Sequence, residues 1–322
     1  MKLEGIYAVH IKRYLKLKRA LGHKLRDAEY VFAQFDRLTL ERKEETMGIT
    51  QELAEEWCKK RPNESDNTRR VRVSFLSLFA RYLRDAGFPS YEPEVPKYPK
   101  SFTPYIFTKE EIRKIISACD TLIIGKKGSD TACEIMPTLI RVLYGTGMRL
   151  GEALELKEKD VHLYEKYIIV RDTKNGQDRM LPITDSLVLA CSIYLERKRK
   201  RTKYTTFDLF FIKSDGTKCA QSTAYQNFRM ILHIAGIPHK GKGLGPRLHD
   251  LRHTFACHSL AQMVESGSDI YHSMPVLSTY LGHRTLESTD KYVRLTTEMF
   301  PGLTKQISDL STYVYPKNDN EQ

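Results

Sequence analysis

The chain has 322 residues and a formal net charge of +12, from 52 Lys and Arg against 40 Asp and Glu. This length suits two domains of ordinary size, and the positive charge favours a polyanionic partner over an acidic small molecule. Neither an apolar signal-peptide region nor a stretch of about 18 consecutive apolar residues is present, so we expect neither secretion nor a membrane-spanning helix.

The first part of the chain has the pattern of a small helical bundle. Apolar residues at helical spacing predict a first helix: Tyr7, Ile11, Tyr14 and Leu21. Further helices are predicted over residues 27–40 and 50–60. A similar stripe predicts a fourth helix: Phe75, Leu76, Phe79 and Leu83. Gly87 should end that helix, as a glycine in the C′ position commonly does.

A proline-rich segment then predicts a domain boundary. Five prolines between residues 89 and 104 disfavour helix and central strand and favour an extended linker. We therefore predict a first domain over residues 1–88, a linker over 89–106, a second domain over 107–311 and a polar tail over 312–322.

The second domain is predicted to be mixed. Thr108 and Glu111 have the spacing of a capping box, which indicates that a helix begins there. The pair Asn175-Gly176 separates two β-type runs at 168–170 and 180–183, the pattern of a hairpin. The remainder is mainly helical, so the predicted fold class is mainly α, with an α+β second domain that contains a small antiparallel sheet.

Three passages contain the candidate chemistry. They are GTGMRLGEALEL around Arg149, RLHDLRHTFA around His249 and Arg252, and LGHRTLESTDKYVR around His283 and Tyr292. Together with Lys174 in the predicted hairpin, they resemble the active site of the tyrosine recombinase (phage integrase) family, which has Arg, Lys, His-x-x-Arg, His and Tyr in this order. The resemblance extends from about residue 108 to 294, and mobile-element integrases and transposases are the most similar members.

The resemblance implies DNA strand cleavage and rejoining. A phosphodiester under attack gains negative charge on its nonbridging oxygens, which two guanidiniums can bind with paired, charge-assisted hydrogen bonds. Arg149 and Arg252 are the candidates, since lysine has no planar fork. Tyr292 is the expected nucleophile, and its 3′-phosphotyrosyl bond would conserve the energy of the broken phosphodiester.

The other residues of the pattern have proton-transfer or supporting roles. Lys174 resembles the general acid that protonates the leaving 5′-oxygen. His249, three residues before Arg252, could move the proton of the nucleophile or donate to the phosphate. His283 resembles the histidine that holds the phosphate. His253 is expected to make a buried hydrogen bond outside the catalytic set, and Glu152 is expected to orient Arg149.

Basic residues in the first domain are candidates for phosphate contacts with DNA: Lys12, Lys16, Arg19, Arg69, Arg70 and Arg72. By resemblance, residues 1–88 form a core-DNA-binding domain and residues 107–311 the catalytic domain, which together form a C-shaped clamp on double-stranded DNA. The family resemblance also implies a homotetramer on paired recombination sites. A helix around residues 303–310 would then dock on a neighbouring protomer.

No cofactor is expected, because a phosphotyrosyl exchange needs neither ATP nor a metal, and the sequence has no evident carboxylate cluster of the two-metal kind. The six cysteines lie far apart and include no CxxC pair, which disfavours a zinc site and indicates a reducing environment. We therefore expect a cytoplasmic protein.

Several alternatives stay open at this point. Within the family, the chain could integrate or excise a mobile element, which we favour, or resolve chromosome or plasmid dimers, or invert DNA. A type IB topoisomerase is disfavoured by the separate bundle domain and by the spacing between LGH and Tyr292. A non-catalytic DNA-binding regulator is disfavoured because the residue set is complete.

Overall fold

The computed structural model describes residues 2–23, 25, 27–97, 103–122, 130–171, 176, 178–201, 207–239, 241, 245–283, 285, 289 and 292–296. The chain divides into two units, Met1–Phe102 and Thr103–Gln322. The predicted domain and linker limits stay a prediction. Among the described helices, none is long and apolar enough to cross a membrane.

The described part of the first unit is helical. Its helices are α1 (Ala8–Ala20), α2 (Ala28–Glu41), α3 (Gln51–Cys58) and α4 (Asp66–Asp85). Side-chain caps fix two of the helix starts, since the Thr50 and Ser65 hydroxyls accept backbone N–H groups of the first turns of α3 and α4. Gly87, with φ +89°, follows the end of α4, as predicted.

An aromatic core joins these helices. Its largest side chains are fully buried and make edge or tilted ring contacts: Tyr7, Tyr14, Phe32, Phe35, Trp57 and Phe79. Leu21, predicted to lie on the same stripe, is 64% exposed. That prediction is wrong because α1 ends at Ala20, so Leu21 has already left the helical repeat.

Arg72 faces the core, and the prediction that it contacts DNA is wrong. Its side chain is 3% exposed. Its guanidinium donates to both carboxylate oxygens of Glu64, at 2.8 Å each, and to the main-chain carbonyls of Trp57 and Lys59. It also lies over the Trp57 ring, 4.9 Å from the centroid. Because four of its five N–H groups already have acceptors, Arg72 is a structural residue of the bundle.

The second unit is mixed, as predicted. Its helices are α5 (Lys109–Asp120), α6 (Asp130–Thr146), α7 (Leu150–Leu154), α8 (Asp185–Arg201), α9 (Gln221–Ile234), α10 (Asp250–Glu265) and α11 (Ile270–Leu281). A 3₁₀ turn covers Glu158–Asp160, and the strands are β1 (Val161–His162), β2 (Tyr167–Val170) and β3 (Arg179–Pro182). The strands pair antiparallel in the order β1-β2-β3, with Ile168 opposite Leu181.

Two local predictions for this unit are confirmed. The Thr108 hydroxyl accepts the N–H of Glu111 at 3.1 Å, and the Glu111 carboxylate accepts the N–H of Thr108 at 2.8 Å, which completes the capping box of α5. Strands β2 and β3 form the predicted hairpin. Most of its turn, including Lys174 and Asn175, lies outside the described residues, as does the predicted helix around 303–310.

Helix α10 is the central element for the candidate site. It contacts both α6 and α11, and α11 in turn contacts β3. After Asp250, ten residues of this helix are buried, including Arg252 and His253 in its first turn. The start of α10 therefore lies at a junction of several elements, where polar side chains are held away from bulk water.

The buried ion pair of the bundle gives a first prediction. Glu64→Gln should reduce the free energy of unfolding by about 3 kcal/mol or more, because the charge of Arg72 stays buried without its carboxylate. Trp57 is the one tryptophan of the chain and lies against Arg72, so its fluorescence during urea denaturation reports on this unit. Glu29→Gln, which breaks the exposed pair with Arg19, should barely change the midpoint. Equal effects of the two substitutions would contradict this assignment.

Candidate active site

Three separate segments of the second unit meet at the start of α10. They are the connection between α6 and α7, which contains Gly147 and Arg149, the first turn of α10, and the end of α11 at residues 281–283. These segments contain the three sequence passages with the candidate chemistry. Folding thus brings together residues that are more than 100 positions apart in the chain.

Arg252 is the buried centre of this junction, with 3% exposure. Its Nη1 donates to the Gly147 carbonyl at 2.7 Å, and its Nη2 donates to the Leu281 carbonyl at 2.8 Å and to His283 Nε2 at 3.0 Å. Burial and the nearby charge of Arg149 lower the pKa of Arg252 to about 10. The group therefore stays charged at neutral pH, and these three acceptors are neutral.

The contact with Arg252 also fixes the tautomer of His283. A guanidinium only donates, so His283 Nε2 accepts, and the neutral ring has its proton on Nδ1. His283 Nδ1 lies 2.8 Å from the hydroxyl oxygen of Thr289, which can accept a hydrogen bond from the Nδ1–H group. The ring is therefore held from both sides, with Nε2 directed toward the buried arginine.

Arg149 and Arg179 share one carboxylate. Arg149 donates to Glu152 from its backbone N–H at 2.9 Å and from Nη1 at 2.7 Å, as expected for an orienting partner. Arg179 on β3 donates from Nη2 at 2.6 Å to Glu152 Oε2, the oxygen that also accepts the backbone N–H of Arg149. Burial would raise the pKa of Glu152, but the hydrogen bonds and charges of the two arginines outweigh it and lower this pKa to about 2. Three guanidiniums, including that of Arg252, thus lie near one carboxylate.

Two glycines allow these segments to approach. Gly147 has φ +62°, and a Cβ there would lie 2.3 Å from the Phe255 ring. Gly282 has φ +68°, and a Cβ there would lie 3.2 Å from Arg179 Nη1. Since the carbonyl of Gly282 also lies 3.5 Å from Arg149 Nη2, this glycine brings the end of α11 against both arginines.

Tyr292 is buried in the same place, with 1% exposure. Its hydroxyl lies 2.9 Å from His253 Nδ1, and its ring stacks on that of His283 at 6.0 Å and 15°. Burial raises the pKa of Tyr292 to about 12, although the positive charges of Arg252 and Arg149 act in the opposite direction. The phenol is therefore neutral in this environment, and it can act as a nucleophile only if a group accepts its proton.

The two histidines at the start of α10 differ in exposure. His249 is half-buried, whereas His253, one turn later, is 5% exposed. Their rings meet edge to face, with centroids 4.9 Å apart. The prediction of a buried hydrogen bond for His253 is confirmed, and its partner is the hydroxyl of Tyr292.

The remaining predicted residues differ in their surroundings. Lys174 lies outside the described residues. Lys12, Lys16 and Arg70 are exposed. Arg19 is also exposed and pairs with Glu29, while Nε of the half-buried Arg69 donates to the Cys58 carbonyl at 2.7 Å. Within the described residues, no group of three or more His, Cys, Asp or Glu side chains could hold a metal ion.

Sequence reasoning missed two features of the site. Arg179 is absent from the predicted set, although alternation along β3 puts it on the same face as the buried Leu181, a signal that could have identified it. His253 was recognised as buried, but its partner could not be named, because Tyr292 lies 39 residues away and in a different element.

The sequence is similar to those of known proteins. The sequence profile of the phage integrase family matches residues 106–299. The y4rB protein of Sinorhizobium fredii, named "putative integrase/recombinase", is 30% identical over 291 residues, which cover 88% of this chain and 91% of that protein. Tyrosine recombinase XerA of Pyrococcus horikoshii is 32% identical over 225 residues, with 69% and 68% covered.

Solved structures agree with the fold. The integrase of transposon Tn1549, in complex with transposon right end DNA, superimposes with a TM-score of 0.63 at 18% identity and covers 90% of this chain and 99% of its own. The match to the family profile and the similarity to y4rB together decide the family. The chain belongs to the phage integrase family and is a tyrosine recombinase, an enzyme that cleaves and rejoins DNA strands.

Proposed function

We propose that Tyr292 is the nucleophile of this recombinase and forms a 3′-phosphotyrosyl bond with DNA. The observation that carries this proposal is the position of its hydroxyl, in hydrogen-bonding distance of His253 and beside the charged Arg252. A phosphate bound by Arg252 would therefore lie next to the attacking oxygen. Such proximity lowers the barrier because little reorganisation is then needed.

Arg149 and Arg252 form the phosphate clamp in this proposal. Both guanidiniums lie near the same main-chain turn at residues 281–282, and their charges are only partly offset by Glu152. A phosphodiester entering the site would meet net positive charge in surroundings of low polarity. The clamp would stabilise the transition state most, since negative charge on the nonbridging oxygens increases there.

The other predicted residues complete the mechanism. Lys174 protonates the leaving 5′-oxygen, a step generally worth about 10²- to 10⁴-fold in rate. His283 holds the phosphate by donating a hydrogen bond from Nε2, which gains a proton once DNA replaces its contact with Arg252. His249 donates to the phosphate or moves the proton of the nucleophile. The reverse of these steps rejoins the strand, so the reaction needs no external energy source.

The first unit binds the DNA duplex through its exposed basic residues. Lys12, Lys16 and Arg19 recur at helical spacing on α1, away from the buried Tyr7, Ile11 and Tyr14. In our proposal, residues 1–88 bind the core site, residues 107–311 hold the catalytic centre, and the two close around double-stranded DNA in the cytoplasm. Four copies act together on two recombination sites.

For the biological role, we propose integration and excision of a mobile element. The passage MPVLSTYLGHRTLESTDKYVRLT resembles transposon and integrase members of the family, and the similarity to y4rB extends over 88% of this chain. Resolution of chromosome or plasmid dimers is the second candidate, favoured by the 32% identity to XerA. Inversion of DNA uses the same chemistry and is a third possibility for the same site.

The nucleophile can be tested by trapping. Wild-type protein incubated with a nicked suicide substrate should form an SDS-resistant protein–DNA adduct, and Tyr292→Phe should form none. Tyr194→Phe is the matched control, since Tyr194 is also buried but its hydroxyl bonds to the Ile212 main chain. Arg149→Ala should greatly reduce trapping through loss of the clamp. An adduct that survives Tyr292→Phe would refute the assignment.

The DNA-binding role of α1 can be tested by salt dependence. Each phosphate contact contributes about −0.9 to the slope of log K against log salt, so Lys12→Gln with Lys16→Gln should make the slope less steep by about 2. Lys43→Gln with Lys59→Gln removes the same charge from exposed positions elsewhere in this unit. If both double variants change the slope equally, the effect is one of net charge and α1 has no special role.

The biological role can be tested with plasmid substrates. The substrate plasmid contains a DNA segment between the two ends of the mobile element that encodes this protein. The protein should excise this segment and join its ends, as measured by amplification across the new junction. Tyr292→Phe should give no junction. Recombination of two directly repeated chromosomal sites, without any reaction at the element ends, would instead support dimer resolution.

A further inference from the structure

The sequence leaves open which group accepts the proton of Tyr292, and the structure suggests an answer. The hydroxyl lies 2.9 Å from Nδ1 of His253, and both side chains are buried, with 1% and 5% exposure. His249, the histidine of the His-x-x-Arg passage, is half-buried and contacts the His253 ring edge to face. Among the contacts described, the hydrogen-bonding distance to the phenol is that of His253.

Resting on the proposed role of Tyr292, we propose that His253 is a further catalytic residue, the general base that accepts the phenol proton. The Tyr292 O–H bond breaks and an Nδ1–H bond forms on a ring that already has a proton on Nε2. The phenolate oxygen forms the new bond to phosphorus, the bond from phosphorus to the 5′-oxygen breaks, and the leaving oxygen takes a proton from the general acid. Atoms and charge balance in both directions, and His249 is then left to donate to the phosphate.

Positively charged side chains lie close to Tyr292. Arg252 and Arg149 are the cations that act on Tyr292, with Cys257 as a further titratable neighbour on α10. The ring of His249 contacts that of His253, and the ring of His283 stacks on that of Tyr292. A phosphodiester bound between the arginines would offset their charge, and the phenol oxygen would then lie beside both the phosphate and the acceptor nitrogen of His253.

The same helix offers a matched control. His258, also on α10, has its Nδ1 2.9 Å from the hydroxyl of Tyr144, and the site does not include this pair. Asparagine can keep an acceptor close to the position of Nδ1 but cannot take the proton. His253→Asn should therefore slow adduct formation by about 10²-fold or more at saturating suicide substrate, as expected for loss of a general base, with unchanged DNA affinity. His258→Asn should cleave at the wild-type rate.

A second measurement separates proton transfer from positioning. Tyr292 is replaced by 3-fluorotyrosine at this one site by nonsense suppression, which lowers the pKa of the phenol. The fluorinated residue should raise the cleavage rate of His253→Asn several-fold and leave that of the otherwise wild-type protein nearly unchanged. A slow His253→Asn protein that does not respond to fluorination would overturn the proposal, because His253 would then only position the tyrosine.

Other outcomes are equally decisive. Cleavage by His253→Asn at or above the wild-type rate would overturn the base assignment and leave Tyr292 as nucleophile. An adduct that persists in Tyr292→Phe, or a wild-type protein that forms none on its own recombination site, would instead overturn the proposed function. The two failures are therefore distinguishable in one set of reactions.

Discussion

The site depends on one buried guanidinium with neutral hydrogen-bond acceptors. Removing a charged group from water is costly unless polar partners surround it, and Arg252 meets this demand with two main-chain carbonyls and an imidazole nitrogen. The carbonyls of Gly147 and Leu281 come from segments that are distant in sequence. Because Arg252 needs hydrogen-bond acceptors from both of them, it fixes the relative positions of three segments, its own included. Because these acceptors are neutral, the positive charge of Arg252 is not fully compensated. An anionic ligand can supply the missing negative charge.

Around this centre, Glu152 limits the excess of positive charge. Arg149 and Arg179 would repel each other if they were alone, and the shared carboxylate holds both in defined orientations. Arg149 is 27% exposed and Arg179 only 10%, so the outer arginine is accessible while the inner one joins β3 to the site. The strand that follows the predicted turn of Lys174 is thereby connected to Arg149 through Glu152. One ion-pair network thus holds Arg179 in the protein framework and leaves Arg149 as an accessible cation.

Much of the architecture could be predicted from local sequence rules. The capping box of α5, the end of α4 before Gly87 and the antiparallel hairpin all follow from short-range backbone preferences. Predictions that depended on which way a side chain faces were less successful. Leu21 is exposed because α1 stops one residue earlier, and Arg72 is buried because Glu64 and the Trp57 ring offer it partners that only the folded bundle brings together. The contact between His253 and Tyr292 is likewise a product of tertiary packing.

Under the proposed role of Tyr292 as nucleophile, its burial has a consequence for the integrity of the DNA. A phosphotyrosyl bond is an activated ester, and water could hydrolyse it and leave a permanent strand break. An oxygen in a side chain that is only 1% exposed and packed against two histidine rings is poorly accessible to bulk solvent. The packing that covers the hydroxyl would therefore also protect the covalent intermediate from water. The free 5′-hydroxyl of a DNA strand could then attack the phosphotyrosyl bond before water does, although water is far more concentrated. Fidelity of rejoining would then be a property of the core as much as of the catalytic groups.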